Sequence, residues 1–209
     1  MLSKFLEKSK IAEGITHIAG PPNSGKTTML YHLCKGLKKG YKAFILDCEI
    51  NFSASRLREI TLGRDIELHD IIVLRVADKA NQIRTLMKLH SFFKKEKPFF
   101  VGINGFTNHF RFNSLNEEET KWNKSLSLQM AYLQMISKKI GLSIVLTNQV
   151  SVYRENNQKI IRPIANSILT NYSNYNILLE HVNKKLWRAK YNDEEGYYTL
   201  SSQGIELIK

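Results

Sequence analysis

The segment GPPNSGKT, from Gly20 to Thr27, fits the pattern G-x-x-x-x-G-K-[ST] and lies between an apolar run, GITHIA, and a helical pattern, TTMLYHLCKGLKK. In that setting each residue type has a task. Gly25 lets the backbone curl so that successive N–H groups face phosphate oxygens, and Lys26 brings a point charge to the terminal phosphates. The Thr27 hydroxyl is a ligand for Mg²⁺, and the helix that starts there adds its positive end. The loop residues Gly20, Pro21, Pro22, Asn23, Ser24, Gly25, Lys26, Thr27 and Thr28 are therefore the expected phosphate binders.

Three strand ends offer partners for a terminal phosphate. In LDCEINFSASRLREI, Glu49 falls at the end of a strand pattern. It is either an acid that orients or deprotonates a water, or a capping partner for Ser53 or Ser55; the spacing leaves both open. In LTNQV, Gln149 follows a strand that begins near Ser143; it is either a hydrogen-bond partner for a phosphate or an ordinary polar loop residue, and composition leaves both open. In VGINGFTNHFR the strand closes on Asn104, where a metal-coordinating acid is expected. An Asn keeps an acceptor oxygen and loses the charge that attracts a hard cation.

Short apolar runs alternate with helical patterns along the chain, the signature of an α/β fold with a mostly parallel sheet between helices. GITHIA, KAFILDCE, IIVLRVA, FFVGIN and LSIVLTN read as strands. TTMLYHLCKGLKK reads as a helix with Leu30, Leu33, Cys34 and Leu37 on one face and Gly40 just past its end. ANQIRTLMKLHSFFKK puts Ile83, Leu86, Met87, His90 and Phe93 on a second helical face. A longer helix from about Glu117 carries Trp122, Leu126, Met130, Leu133, Ile136 and Ile140. NYNILLEH, KLWRAKY and GYYTLSS read as antiparallel strands at the sheet edge.

The 209 residues suit one domain, 1–209, with 43% hydrophobic and 24% charged residues. No apolar run approaches the ~20 residues of a membrane span, and the N-terminus lacks an apolar signal core, so a cytoplasmic protein with no membrane partner is expected. Cys34 and Cys48 lack metal-ligand spacing and read as buried packing residues. Lys and Arg number 31 against 19 Asp and Glu, a net charge of +12 that favours a polyanionic partner, nucleic acid above all, with a merely solvated basic surface as the alternative.

Taken in order, ITHIAGPPNSGKTTMLYHL, FILDCEINFSASRLREI, VGINGFTNHFR, LSIVLTNQV and IRPIANSIL resemble the ATPase core of the RecA/RadA recombinase superfamily, closest to archaeal RadA paralogues of the RadB and RadC type. The resemblance runs from about Glu13 to the end. It implies a RecA-like P-loop fold, ATP and Mg²⁺ as cofactors, DNA repair and recombination as the setting, single-stranded DNA as ligand and the main RadA-type recombinase as a partner. It makes Glu49 the water-activating acid and Gln149 the sensor of the γ-phosphate, with Lys26 completing the catalytic set. Thr27 and Asn104 become the metal positions. It puts a first DNA-facing loop at Phe110–Asn116, with Phe110, Arg111 and Phe112, and a second at Ser151–Ala165, with Tyr153, Arg154, Lys159 and Arg162. Aromatic faces stack on bases while cations follow the backbone; packing is the alternative for Phe110 and Phe112. Lys184, Lys185, Arg188 and Lys190 either extend the basic track or decorate a solvated hairpin.

Three departures shape the expected activity. Only 19 residues precede Gly20 and FLEK near Phe5 does not complete a Phe-x-x-Ala polymerisation segment, so a monomer or small oligomer is expected instead of a long filament. The paired glycines usual after the second loop's proline are Ala165 and Asn166 here. Asn104 predicts DNA-dependent ATP hydrolysis slowed by ~10²-fold, the scale of one lost electrostatic contributor. An adaptor that binds ATP and the recombinase without hydrolysis is the alternative. A small-molecule kinase is disfavoured by TNQV and RPIANS.

Overall fold

The computed structural model describes residues 12–110, 117–155 and 158–208. Five α-helices, two short 3₁₀ helices and ten strands are laid down along them. β1 (Gly14–Gly20) leads into α1 (Lys26–Cys34), β2 (Lys42–Asp47) into α2 (Ala54–Thr61), and β3 (Ile71–Arg75) into α3 (Lys79–Phe93). β4 (Pro98–Asn104) precedes α4 (Glu117–Ile140). β5 (Ser143–Glu155) and β6 (Gln158–Pro163) precede α5 (Asn166–Tyr172). β7 (Tyr175–His181), β8 (Trp187–Tyr191), β9 (Glu194–Ser201) and β10 (Gly204–Ile208) close the chain.

The main sheet has the order β10-β9-β8-β7-β1-β5-β4-β2-β3, with β6 paired to β5 outside that path. From β3 to β7 all pairings in the path are parallel, and from β7 to β10 they are antiparallel. Central strands are buried on both faces, as parallel sheets require. Alternate residues feed two cores: Ala43, Ile45 and Val145 face one side with α1 and α2, while Phe44, Leu46, Ile144 and Leu146 face the other with α3 and α4. Cys34 and Cys48 are both free and buried, and burial pushes the Cys34 thiol up to about 12. They are packing residues.

The elements differ from the sequence expectation in several places, and Ile140, expected on the apolar stripe of α4, is exposed. α1 stops at Cys34, because Lys35, Gly36 and Leu37 donate to carbonyls three residues back and the chain tightens around Gly36. The buried stripe of α3 is Gln82, Leu86 and Leu89, whereas Met87 and His90 are exposed. Its anchor is polar: Gln82 Nε2 donates to the Phe106 carbonyl and to Gln129 Oε1, both at 3.0 Å, so a count of apolar residues misses the face. Strand β7 is antiparallel only to β8; its other edge runs parallel to β1. Strand β10, from GIELI, extends the antiparallel end by one strand beyond expectation.

The segment expected as a second loop is also built differently. β5 continues through Gln149 to Glu155 and returns as β6, pairing Ser151 with Arg162 and Arg154 with Lys159. Gln149 therefore lies within a strand, and Ser151–Glu155 pairs with Gln158–Pro163 as an antiparallel ribbon. The β-branched and aromatic residues of VSVY and KII favour that pairing.

Candidate nucleotide site

Residues 20–28 join β1 to α1 at the carboxyl edge of the sheet, where ligands of such sheets gather. Gly25 has φ 83, a left-handed conformation that favours glycine, and a Cβ there would lie 2.6 Å from Leu200 Cδ2 and push that side chain aside. α1 begins at Lys26 with no side-chain cap and no acid in its first turn, which leaves its N–H groups and positive end turned to the loop. The Lys26 ammonium is buried and donates to the carbonyls of Gly20 at 2.9 Å and Pro21 at 2.7 Å. From behind, the Tyr198 hydroxyl donates to the Ser24 carbonyl at 2.8 Å, and burial pushes that phenol's pKa up. The antiparallel end of the sheet thus braces the loop.

Thr27 and Asn104, separated by 77 positions, meet here. Thr27 Oγ1 donates to Asn104 Oδ1 at 3.0 Å, and Thr147 Oγ1 donates to the same oxygen at 3.1 Å. The Asn104 amide nitrogen donates to Asp47 Oδ1 at 3.3 Å and to Asn51 Oδ1 at 2.8 Å. Asp47 is paired with Asn104 across β2 and β4, and its other oxygen accepts the Phe52 N–H at 2.8 Å. Strand order, which is not legible in the sequence, is what brings Asp47 here. A hydroxyl, an amide oxygen and a nearby carboxylate are hard donors that fit Mg²⁺.

Glu49 and Gln149 are also brought together. Gln149 Nε2 donates to Glu49 Oε1 at 3.3 Å, and Asn51 Nδ2 donates to Glu49 Oε2 at 3.0 Å. Glu49 does not serve as a cap: Ser53 Oγ caps α2 through the Arg56 N–H and pairs with Ser55 Oγ. Ile50 between Glu49 and Asn51 has φ 53, a left-handed conformation that a β-branched residue adopts only under strain. That turn sends the Glu49 and Asn51 side chains to the same place.

Gln149 pairs with Gly20 across β5 and β1, and its carbonyl accepts the Ile164 N–H at 3.0 Å. The adjacent Asn148 donates to the Ile164 carbonyl at 2.7 Å and approaches His17 Nε2 at 3.3 Å, while His17 Nδ1 lies 3.1 Å from Asn176 Oδ1. Burial lowers the His17 pKa to about 4, so this relay runs through a neutral imidazole. Ala165, next to Ile164, has φ 50, the conformation for which glycine is the natural choice. Asn51, Thr147, Asn148 and His17 escape sequence reasoning; the short polar residues of TNQ beside a strand end hint at Thr147 and Asn148.

Of the expected DNA contacts, Arg111 and Phe112 lie outside the described residues. Phe110 is 2% exposed and packs edge-on to Trp122, so it belongs to the core. Arg162 is exposed on β6. Tyr153, Arg154 and Lys159 lie on the same ribbon by backbone register, their side chains being outside the described residues. Arg188 and Lys190 are paired with Glu180 and Glu195, which favours the solvated-hairpin reading for both. A cavity of about 350 Å³ bordered by Tyr41, Phe93 and Pro98 sits at the opposite end of the strands, away from residues 20–28. Among the described residues, no helix is long and apolar enough to cross a membrane.

The sheet order, the strand-to-helix turn at residues 20–28 and the antiparallel end define a RecA-like α/β core. The Rad51 family model matches residues 2–206, and the chain belongs to that family. Among relatives is the DNA repair and recombination protein RadB of Thermococcus sibiricus, 27% identical over 207 residues that cover 93% of this chain and 87% of the relative. The protein of the same name from Methanosphaera stadtmanae is 31% identical over 170 residues, covering 79% and 72%.

Proposed function

We propose that residues 1–209 form one ATP-binding core that hydrolyses ATP slowly, binds single-stranded DNA and modulates a RadA-type recombinase in DNA repair and recombination. The reading makes it a cytoplasmic monomer or small oligomer. The observation that carries it is the junction at Gln149: its side chain holds Glu49, while its carbonyl holds the base of the basic ribbon through Ile164.

In this reading Lys26 leaves the Gly20 and Pro21 carbonyls for the terminal phosphates, and the N–H groups from Ser24 to Thr28 orient the rest. Bound Mg²⁺ would supply electrostatic stabilisation of the phosphates, held by Thr27 Oγ1 and Asn104 Oδ1. Glu49 takes a proton from the attacking water. Gln149 exchanges Glu49 for the γ-phosphate, which frees the acid and pulls on Ile164. Ala165, already strained, is the joint about which β6 turns relative to α5.

The test is single-stranded DNA affinity with and without ATP at fixed salt, in wild type and Gln149→Ala. ATP should change wild-type affinity at least about fivefold, the lower range of allosteric coupling, and leave the variant unchanged. A wild type indifferent to ATP refutes the coupling. The amide at position 104 favours a second reading, a non-hydrolysing adaptor that binds the recombinase. Recombinase binding that survives Lys26→Ala, with turnover undetectable, selects it.

A further inference from the structure

The end of β4 poses a problem of orientation. The two ends of an asparagine amide have nearly the same shape, and only the oxygen can face a cation. Asn104 is buried within a shell of four side chains. Thr27 and Thr147 hydroxyls stand at one end, and Asp47 Oδ1 and Asn51 Oδ1 at the other. A hydroxyl donates or accepts as required, so Thr27 imposes nothing. Asn51 could turn its own amide, except that its nitrogen is engaged by Glu49. An ionised Asp47 can only accept, it is 1% exposed, and the Phe52 N–H fixes its other oxygen.

We infer that Asp47 is the positioning residue of this site: its buried carboxylate pins the Asn104 amide nitrogen, aims the Asn104 carbonyl oxygen at Thr27, and supplies from one strand away the negative charge that the strand end lacks. Amide and carboxylate together make a hydrogen-bonded pair, where two carboxylates at the same spacing would repel. Thr147 reinforces the arrangement. Its hydroxyl accepts the Gly105 N–H at 2.8 Å, so its own proton is directed to Asn104 Oδ1. Asp47 acts through Asn104, and the class of ligand it prepares for is a hard divalent cation carried on a nucleotide. That consequence rests on the nucleotide-binding reading; the geometry does not.

Three proteins test it: wild type, Asp47→Asn, and the exchange variant Asp47→Asn with Asn104→Asp. The first readout is the Asn104 side-chain amide resonance in protein labelled with ¹⁵N-asparagine, without nucleotide and assigned by its loss in the exchange variant. Asp47→Asn should shift that resonance and speed its hydrogen exchange at least about tenfold. The second is the Mg²⁺ concentration that half-saturates binding of a fluorescent ATP analogue. It should rise about tenfold in Asp47→Asn, the usual scale for an outer-shell partner, and return to the wild-type value or below in the exchange variant. An unchanged amide signal in Asp47→Asn overturns the inference, as does an exchange variant no tighter for Mg²⁺ than the single one. If wild type binds no nucleotide, the proposed function falls while the amide signal still decides the role of Asp47.

Discussion

Replacing Asn104 by Asp should destabilise the protein in the absence of metal, even though the sequence alone presents that change as the repair of a missing acid. A carboxylate oxygen would replace the amide nitrogen 3.3 Å from Asp47 Oδ1 and 2.8 Å from Asn51 Oδ1. Two unit charges at that separation repel by about 5 kcal/mol at an effective dielectric constant of 20. The variant escapes part of this by keeping one proton on the pair. Holding a proton on an ordinary aspartate at pH 7 costs about 4 kcal/mol, so the penalty is bounded near that value. The folded pair then binds one more proton than the unfolded chain above about pH 4, and its stability falls relative to wild type by about 1.4 kcal/mol per pH unit. Urea unfolding of both proteins at pH 5 and pH 7 measures this, since the contribution of His17 is common to both and cancels. The difference in stability should grow by about 2.7 kcal/mol between the two pH values and shrink when Mg²⁺ is added. ATP turnover should exceed wild type only where Mg²⁺ saturates the pair. A stability difference that is small, flat with pH and indifferent to Mg²⁺ would refute the contact with Asp47 and restore the simple view of Asn104 as a brake.

Other outcomes follow from single contacts. Tyr198→Phe leaves the Ser24 carbonyl without its donor and should cost about 1–2 kcal/mol in urea unfolding, together with weaker ATP binding measured by titration. Ile50→Gly relieves a left-handed β-branched residue; thermal unfolding should show a gain of about 1 kcal/mol, with slower turnover if the strained turn holds Glu49 in place. Arg154→Ala should weaken single-stranded DNA binding and reduce the slope of log K against log salt by about 0.7, read from a salt titration. His17 should remain neutral in a proton NMR titration from pH 8 to pH 5. Its lowered pKa, about 4 against 6.5, means stability present above pH 6.5 is lost as pH falls toward 4, by about 3 kcal/mol.

Much of this protein is written locally. The turn from Gly20 to Thr27 is legible as a strand-to-helix junction because its glycines, lysine and threonine stand at fixed spacing between a strand and a helix, and the central strands are legible because burial on both faces leaves continuous apolar runs. The stripe Leu126, Met130, Leu133 and Ile136 is legible for the same reason at helical period. What the tertiary structure alone decided is adjacency. Strand order puts Asp47 beside Asn104 and Gln149 beside Gly20, and neither pairing follows from sequence separation. A buried Gln82 holding α3, a strained Ile50 aiming Glu49, and a ribbon where a loop was expected depend on partners from distant parts of the chain. Residue types and spacing therefore declare which chemistry is on offer. Only the packing of strands determines which charges face each other, and whether Asn104 is a missing acid or half of a pair.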